Sequence, residues 1–206
     1  MTSPLIAQTL PPAPAVPPPT APATPPPPQP KPATVRVTLT TSEGPIVLDL
    51  EKERAPITTA NFLKYVDQKR FDGITFYRVV KVQPGFGLVQ GGVRNDPKRV
   101  LPNIAHEPTT KTGLHHDDGA ISMARAAPGT ASGDFFIMVG AAPTMDADPS
   151  QPGDNLGFAV FGHVVEGMDI VRKLLDAPTS ATAGPAAMKG QMLSAPVKIL
   201  TARRSS

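Results

Sequence analysis

The 206-residue sequence contains no cysteine. Disulfides, thiolate catalysis and cysteine-ligated metals are therefore excluded, and the redox compartment is left open. Tryptophan is absent too, and the aromatic residues are only eight phenylalanines and two tyrosines. No apolar run approaches the roughly 20 residues of a membrane-spanning helix. Neither sign of charge dominates, with 20 Lys and Arg against 17 Asp and Glu. The basic residues are scattered and form no stripe, so no nucleic-acid partner is implied. No internal repeat is evident.

Proline is abundant. Of the 27 prolines, 14 lie in residues 1–34, a segment with one charged residue, Lys31, and no aromatic residue. Such a composition cannot bury enough apolar surface to offset the entropy of ordering. Residues 1–34 are expected to form a disordered, partly polyproline-II linker or tail. P-x-x-P spacings such as Pro25 to Pro28 also suit a proline-binding module, but a semi-rigid spacer is the simpler reading. PLIAQTLPPAPA lacks the basic start of a signal peptide, yet it suits the remnant of one. A Pro/Ala spacer fits a periplasmic or cell-envelope protein, the alternative being a cytoplasmic one.

Residues 35–206 are long enough for one good core. VRVTLTT alternates, placing Val35, Val37 and Leu39 on one face. Ser42 to Pro45 reads as a turn, and Ile46 to Leu50 as the returning strand. Pro56 suits a first helical turn, with Ile57, Phe62, Leu63 and Val66 as the apolar stripe. Strands are expected around Thr75–Val80, Leu88–Gln90, 120–124, 135–140, 158–165 and 196–203, with a second short helix over Gly167–Leu175. Residues 93–119 and 141–157 read as loops. A further loop of about 20 residues precedes the last strand, which is long for a compact domain. Met188 and Met192 are its expected anchors on the barrel end. Many short strands with only two helices predict a mainly β closed barrel or sandwich.

Two polar residues interrupt this apolar pattern. Arg78 stands inside FYRVV, and Gln90 precedes Gly91 and Gly92 on the next segment. FYRVV, PGF, QGG, ISMARA, GDFFIMV and FAVFGHVVEGMDIV follow in order, and together they resemble the signature blocks of the cyclophilin-type peptidyl-prolyl cis/trans isomerases. The resemblance spans residues 35 to about 203. It implies a closed eight-stranded antiparallel barrel capped by two α-helices, acting on X-Pro bonds of unfolded or partly folded proteins. It implies no cofactor and no metal, and a monomer is expected.

Arg78 matches the family's catalytic arginine, and Gln90 the glutamine that bonds the substrate backbone and orients that arginine. Phe136 matches the pocket phenylalanine, and Leu88 the pocket methionine. Phe86 matches the phenylalanine of the GF pair, with three residues before Gln90 where the common pattern has two, a spacing that can displace it. Ala124 and Arg125 match the segment whose backbone pairs with an extended substrate. There are departures. Tyr77 stands where many relatives have histidine, Asp134 where glutamine is usual, and Phe158 where a pocket histidine often sits. The missing rim tryptophan implies weak cyclosporin binding. These departures keep open a non-catalytic module that holds proline-containing segments, and a barrel that binds a small molecule is a third reading.

Other residues invite weaker readings. His106, His115, His116 and His163 lack metal-ligand spacing, so turn or surface roles are expected. Asp117-Asp118 and Asp146-Ala147-Asp148 resemble calcium loops but lack the closing glutamate. Gly85-Phe86-Gly87 begins like a dinucleotide fingerprint, but no helix follows. Ser122 and Ser132 lack a nucleophile elbow, so no catalytic triad is expected.

Overall fold

A computed structural model describes residues 33–205. The tail expected over residues 1–34 lies outside the described residues except for Ala33 and Thr34. The expected strands and helices all form, and several are longer than their local patterns suggest. β1 (Thr34–Thr41) and β2 (Gly44–Glu51) make a hairpin about Ser42-Glu43, with Val37 and Leu39 buried as the alternation requires. The Thr41 hydroxyl closes the turn by donating to Gly44 O and accepting from Glu43 N.

α1 (Pro56–Asp67) starts with proline at its first turn, where a missing N–H costs nothing. Its open N-terminus is capped from afar. The buried Glu107 carboxylate accepts from Ile57 N (3.2 Å), Thr58 N (2.7 Å) and the Thr58 hydroxyl (2.7 Å). Phe62, Leu63 and Val66 face the core as expected, but Ile57 is 40% exposed. Five residues of helix turn Ile57 well away from Phe62, and Thr58, Thr59 and Asn61 are buried instead.

β3 (Thr75–Gln83) and β4 (Phe86–Gly92) extend the two expected strands into a hairpin around Pro84-Gly85. Proline fixes the first turn position and Gly85 takes a left-handed φ of 72°. The long loop that follows contains one helical turn, α2 (Thr109–Thr112). Then come β5 (Ala120–Met123), β6 (Asp134–Val139), β7 (Ala159–Glu166) and α3 (Met168–Leu175). The segment after α3 is more ordered than a loop. It holds a two-residue strand, β8 (Thr179–Ser180), a 3₁₀ turn at Ala186–Met188, and the start of β9 (Met192–Arg204) four residues before the expected Pro196. Met192 is buried within β9, whereas Met188 is only half-buried.

The sheet order is β1-β2-β7-β5-β6-β4-β3-β9, and β1 pairs with β9 to close it. Every pairing is antiparallel, so the domain is the expected mainly β barrel of eight strands, with β8 a short addition on β9. Phe62 of α1 meets Phe71, Phe135 and Phe161 at ring distances of 4.8–5.3 Å, and α3 buries Val171, Leu174 and Leu175. These aromatic contacts form a core from few rings.

Candidate active site

Two interior rows of the barrel frame an exterior one. Val79, Val89, Ile137 and Ile121 are register partners across β3, β4, β6 and β5, and all are buried. Phe76, Gly91, Phe135 and Met123 form the second interior row. Gly91 has no side chain because one would strike the Phe76 ring, with a Cβ only 2.9 Å from Cδ1. Between these rows lie Arg78, Gln90, Phe136 and Ser122, again in direct register. Alternation puts this middle row on the outer face, at the roughly 4.8 Å spacing of neighbouring strands.

Strict alternation cannot place both Phe76 and Val79 inside, because they are three residues apart. A β-bulge between Phe76 and Arg78 resolves this. It lets Tyr77 and Arg78 both reach Gln90. Arg78 Nη1 donates to Gln90 Oε1 at 2.8 Å, and Gln90 Nε2 donates to the Tyr77 hydroxyl at 2.7 Å. The Tyr77 hydroxyl in turn donates to Asp134 Oδ2 over a long 3.4 Å, while Arg94 N donates to Asp134 Oδ1 at 2.8 Å.

The charges are shaped by burial. Desolvation, with the Asp134 carboxylate nearby, pushes the Tyr77 phenol up, so it stays a neutral hydroxyl. Desolvation also pushes the Asp134 carboxyl up and the Arg78 guanidinium down, but arginine remains a cation at any physiological pH. The Arg94 guanidinium lies 5.0 Å from the Tyr77 ring centre, within cation–π range.

Phe136 forms the apolar part of the row. Its ring is 5.4 Å from Phe158, edge to face, and 6.0 Å from His116, stacked. Leu88 is two residues from Gln90 on β4 and shares its face, opposite Met138 and Val80. Phe86 lies two residues further, opposite Gln83 beside the turn, with its ring against Gly140. It therefore sits along the strand from Phe136, and the extra residue before Gln90 carries it there. A cavity of about 300 Å³ beside Phe158 is lined by Arg125, Met145 and Asp146, among others.

Ala124 and Arg125 follow β5 directly. The Ala124 N–H is bonded to Asp134 O at 2.9 Å. The Arg125 side chain turns inward, holding Asp154 (2.6 and 3.0 Å) and Gly157 O (3.0 and 2.6 Å), with its guanidinium 5.1 Å from the Phe158 ring centre. It thus fixes the 146–157 loop against the pocket.

One expectation about the histidines needs correction. His116 is buried, not on the surface. Its Nδ1 pairs with Asp146 Oδ1 (2.6 Å) and its Nε2 with Ser122 Oγ (3.1 Å), which is the connectivity of a catalytic triad. Ser122 is nevertheless completely buried in β5, where no substrate carbonyl can reach it, so the constellation braces Phe136 from behind. Asp146 is accordingly a partner of His115 and His116.

The sequence model "Cyclophilin type peptidyl-prolyl cis-trans isomerase/CLD" matches residues 36–203. The chain belongs to this family. It is 37% identical over 147 residues to peptidyl-prolyl cis-trans isomerase A of Dickeya dadantii, covering 71% of this chain and 74% of that one. Against a peptidyl-prolyl cis-trans isomerase of Acinetobacter baylyi the identity is 33% over 175 residues, covering 84% and 87%. The crystal structure of a Cryptosporidium parvum cyclophilin-type isomerase shares the fold, with a TM-score of 0.61 at 21% identity, over 84% of this chain and 99% of that chain. The activity expected from the sequence is that of the family. Among the described residues of this cyclophilin, no helix is long and apolar enough to cross a membrane.

Sequence reasoning noticed Tyr77 and Asp134 as separate departures, and they prove to touch each other, with Tyr77 linking Asp134 to Gln90. It missed Gln191 entirely. This residue precedes β9 and accepts from Arg78 Nε at 2.8 Å and Nη2 at 2.6 Å, across 113 positions of chain. No local pattern marks it.

Proposed function

We propose that this cyclophilin accelerates rotation about X-Pro bonds by aiming the Arg78 guanidinium at the proline nitrogen. The amide resists rotation by about 18–20 kcal/mol because twisting breaks its resonance. In the twisted state the nitrogen pyramidalises and regains a lone pair. A fixed cationic donor bonds that lone pair and has little to gain from the planar ground state, so it lowers the barrier. The register row carries this reading: it puts a charged donor, an amide and a phenylalanine side by side on one exterior face.

Phe136 receives the proline ring, with Leu88 and Phe158 beside it. Phe86 lines the approach along β4, beyond the ring itself. Gln90 spends one amide N–H on Tyr77 and keeps the other for a substrate carbonyl. Because the Ala124 N–H is already bonded, the Arg125 backbone pairs with the extended segment. No covalent intermediate or cofactor is required.

Exchange NMR on a short X-Pro peptide tests the reading, comparing the wild type with Arg78→Ala. By analogy with oxyanion-hole donors, the loss is about 2.7–4 kcal/mol, or roughly 100- to 1,000-fold in rate. A wild-type domain that binds the peptide without speeding its exchange would instead be a proline-segment binder. With no tryptophan in the chain, cyclosporin binds weakly, and tight inhibition in a titration overturns that expectation. The domain acts as a monomer, which sedimentation checks. The Pro/Ala-rich tail supports a place in the cell envelope, and recovery of the full-length protein from a cytosolic fraction would argue against it.

A further inference from the structure

The segment between α3 and β9 has no role in the reading above, yet it is tied down along its length. Met188 N bonds Pro185 O (2.8 Å), Gly190 N bonds Ser180 O (3.2 Å) and Gln191 N bonds Met188 O (3.1 Å). Gly184 takes a left-handed φ of 88° beside Met192, where a Cβ would lie 2.7 Å from Cγ. Gln191 O accepts from Val79 N at 2.8 Å, so the Gln191 backbone is fastened to the residue following Arg78.

From this position its side chain takes two hydrogen bonds from Arg78, at Nε (2.8 Å) and Nη2 (2.6 Å), while Gln90 takes the third at Nη1 (2.8 Å). Arginine offers five N–H groups and no acceptor, so both glutamines must present their oxygens. All three guanidinium nitrogens are therefore anchored, which fixes the plane of the group, and two N–H bonds remain unspent. Both anchors are neutral amides. A carboxylate at either place would hold the guanidinium as firmly but would cancel the charge that the twisted amide needs.

We infer that Gln191 is a positioning residue for Arg78, and that the segment preceding β9 serves to deliver this neutral acceptor to the guanidinium. The inference rests on the reading of Arg78 as the transition-state donor.

The test is a double-mutant cycle of wild type, Gln191→Ala, Arg78→Ala and the double variant, with Gln191→Glu alongside. Each is assayed for kcat and KM on an X-Pro peptide and for thermal melting. Gln191→Ala should lower kcat about 10-fold or more, within the roughly 100-fold that a misplaced catalytic group can cost, with KM unchanged. The double variant should be no slower than Arg78→Ala alone, because the two residues act as one unit. Gln191→Glu keeps an acceptor oxygen and adds charge, so kcat should fall while the melting temperature holds or rises. That variant also carries the test if Gln191→Ala folds poorly. Wild-type kcat in Gln191→Glu, or equal losses from Gln191→Ala with and without Arg78, overturns the inference. Full activity in Arg78→Ala would instead remove the reading on which it rests.

Discussion

Replacing Tyr77 with phenylalanine removes one oxygen from the site and breaks two contacts. Tyr77 is only 6% exposed, and its hydroxyl is the acceptor for Gln90 Nε2 and a donor to Asp134. The ring fits unchanged, so no cavity forms. The cost is that of a buried amide donor left without a partner, about 1–3 kcal/mol. For a domain of this size each kcal/mol moves the melting temperature by about 2–4 °C, so Tyr77→Phe should melt roughly 2–12 °C lower. Turnover should fall as well, because the Gln90 amide that holds Arg78 Nη1 loses its outer anchor.

The same variant has a signature in pH. Burial holds the Asp134 carboxyl above its ordinary value, and the Tyr77 hydrogen bond pulls it partly back. A carboxyl raised in the folded state contributes stability that is complete below its unfolded value of about 3.9 and is lost as pH rises through the folded value. Without the hydroxyl the folded value rises further, so this loss should occur at higher pH in the variant. Urea unfolding across pH, beside melting curves and peptide exchange rates, reads all three effects. Wild-type melting together with wild-type turnover would refute the idea that Tyr77 holds Gln90 in place.

Phe136→Ala empties the pocket and should cost about 3–5 kcal/mol of stability, read by denaturant unfolding. Phe136→Leu should preserve the fold and raise KM for X-Pro peptides more than it lowers kcat. Arg125→Ala releases Asp154 and Gly157 O, so amide exchange should quicken over residues 146–157 and KM should rise with kcat little changed. Burial pushes the His116 imidazole below its ordinary value, while the Asp146 carboxylate draws it back up. His116 therefore supports folding fully above the unfolded value of about 6.5, and that support is lost as pH falls through the folded value. In Asp146→Asn the His116 titration followed by ring NMR should move further down, and an upward move would contradict the assigned pairing.

Much of the barrel was legible because strand periodicity is a property of neighbouring residues. Val37 and Leu39, or Ile137 within FFIMV, announce an interior face without reference to anything distant. The same local logic misled at Ile57, where apolarity alone suggested burial and the turn of the helix carried the side chain to solvent. The hairpin joining β3 and β4 was latent in Pro84-Gly85, but its strands ran past the residues whose pattern marked them. Arg78, Gln90 and Phe136 stood out because charge, amide and paired phenylalanines are rare inside strands, and their family matches agreed.

The sequence by itself determined which residues could occupy that exterior row, because alternation and a two-residue turn leave few registers open. It did not determine what holds the row in place. Gln191 reaches Arg78 only because β9 returns beside β3 and the preceding segment is tied to Val79. His116 and Asp146 meet behind Phe136 only because two long loops cover β5. Tyr77 and Asp134, 57 positions apart, meet only through the bulge in β3 and the pairing of β4 with β6. These contacts depend on barrel closure and on the reach of single side chains. Spacing along the chain encodes neither, so tertiary structure alone decided how the guanidinium is held.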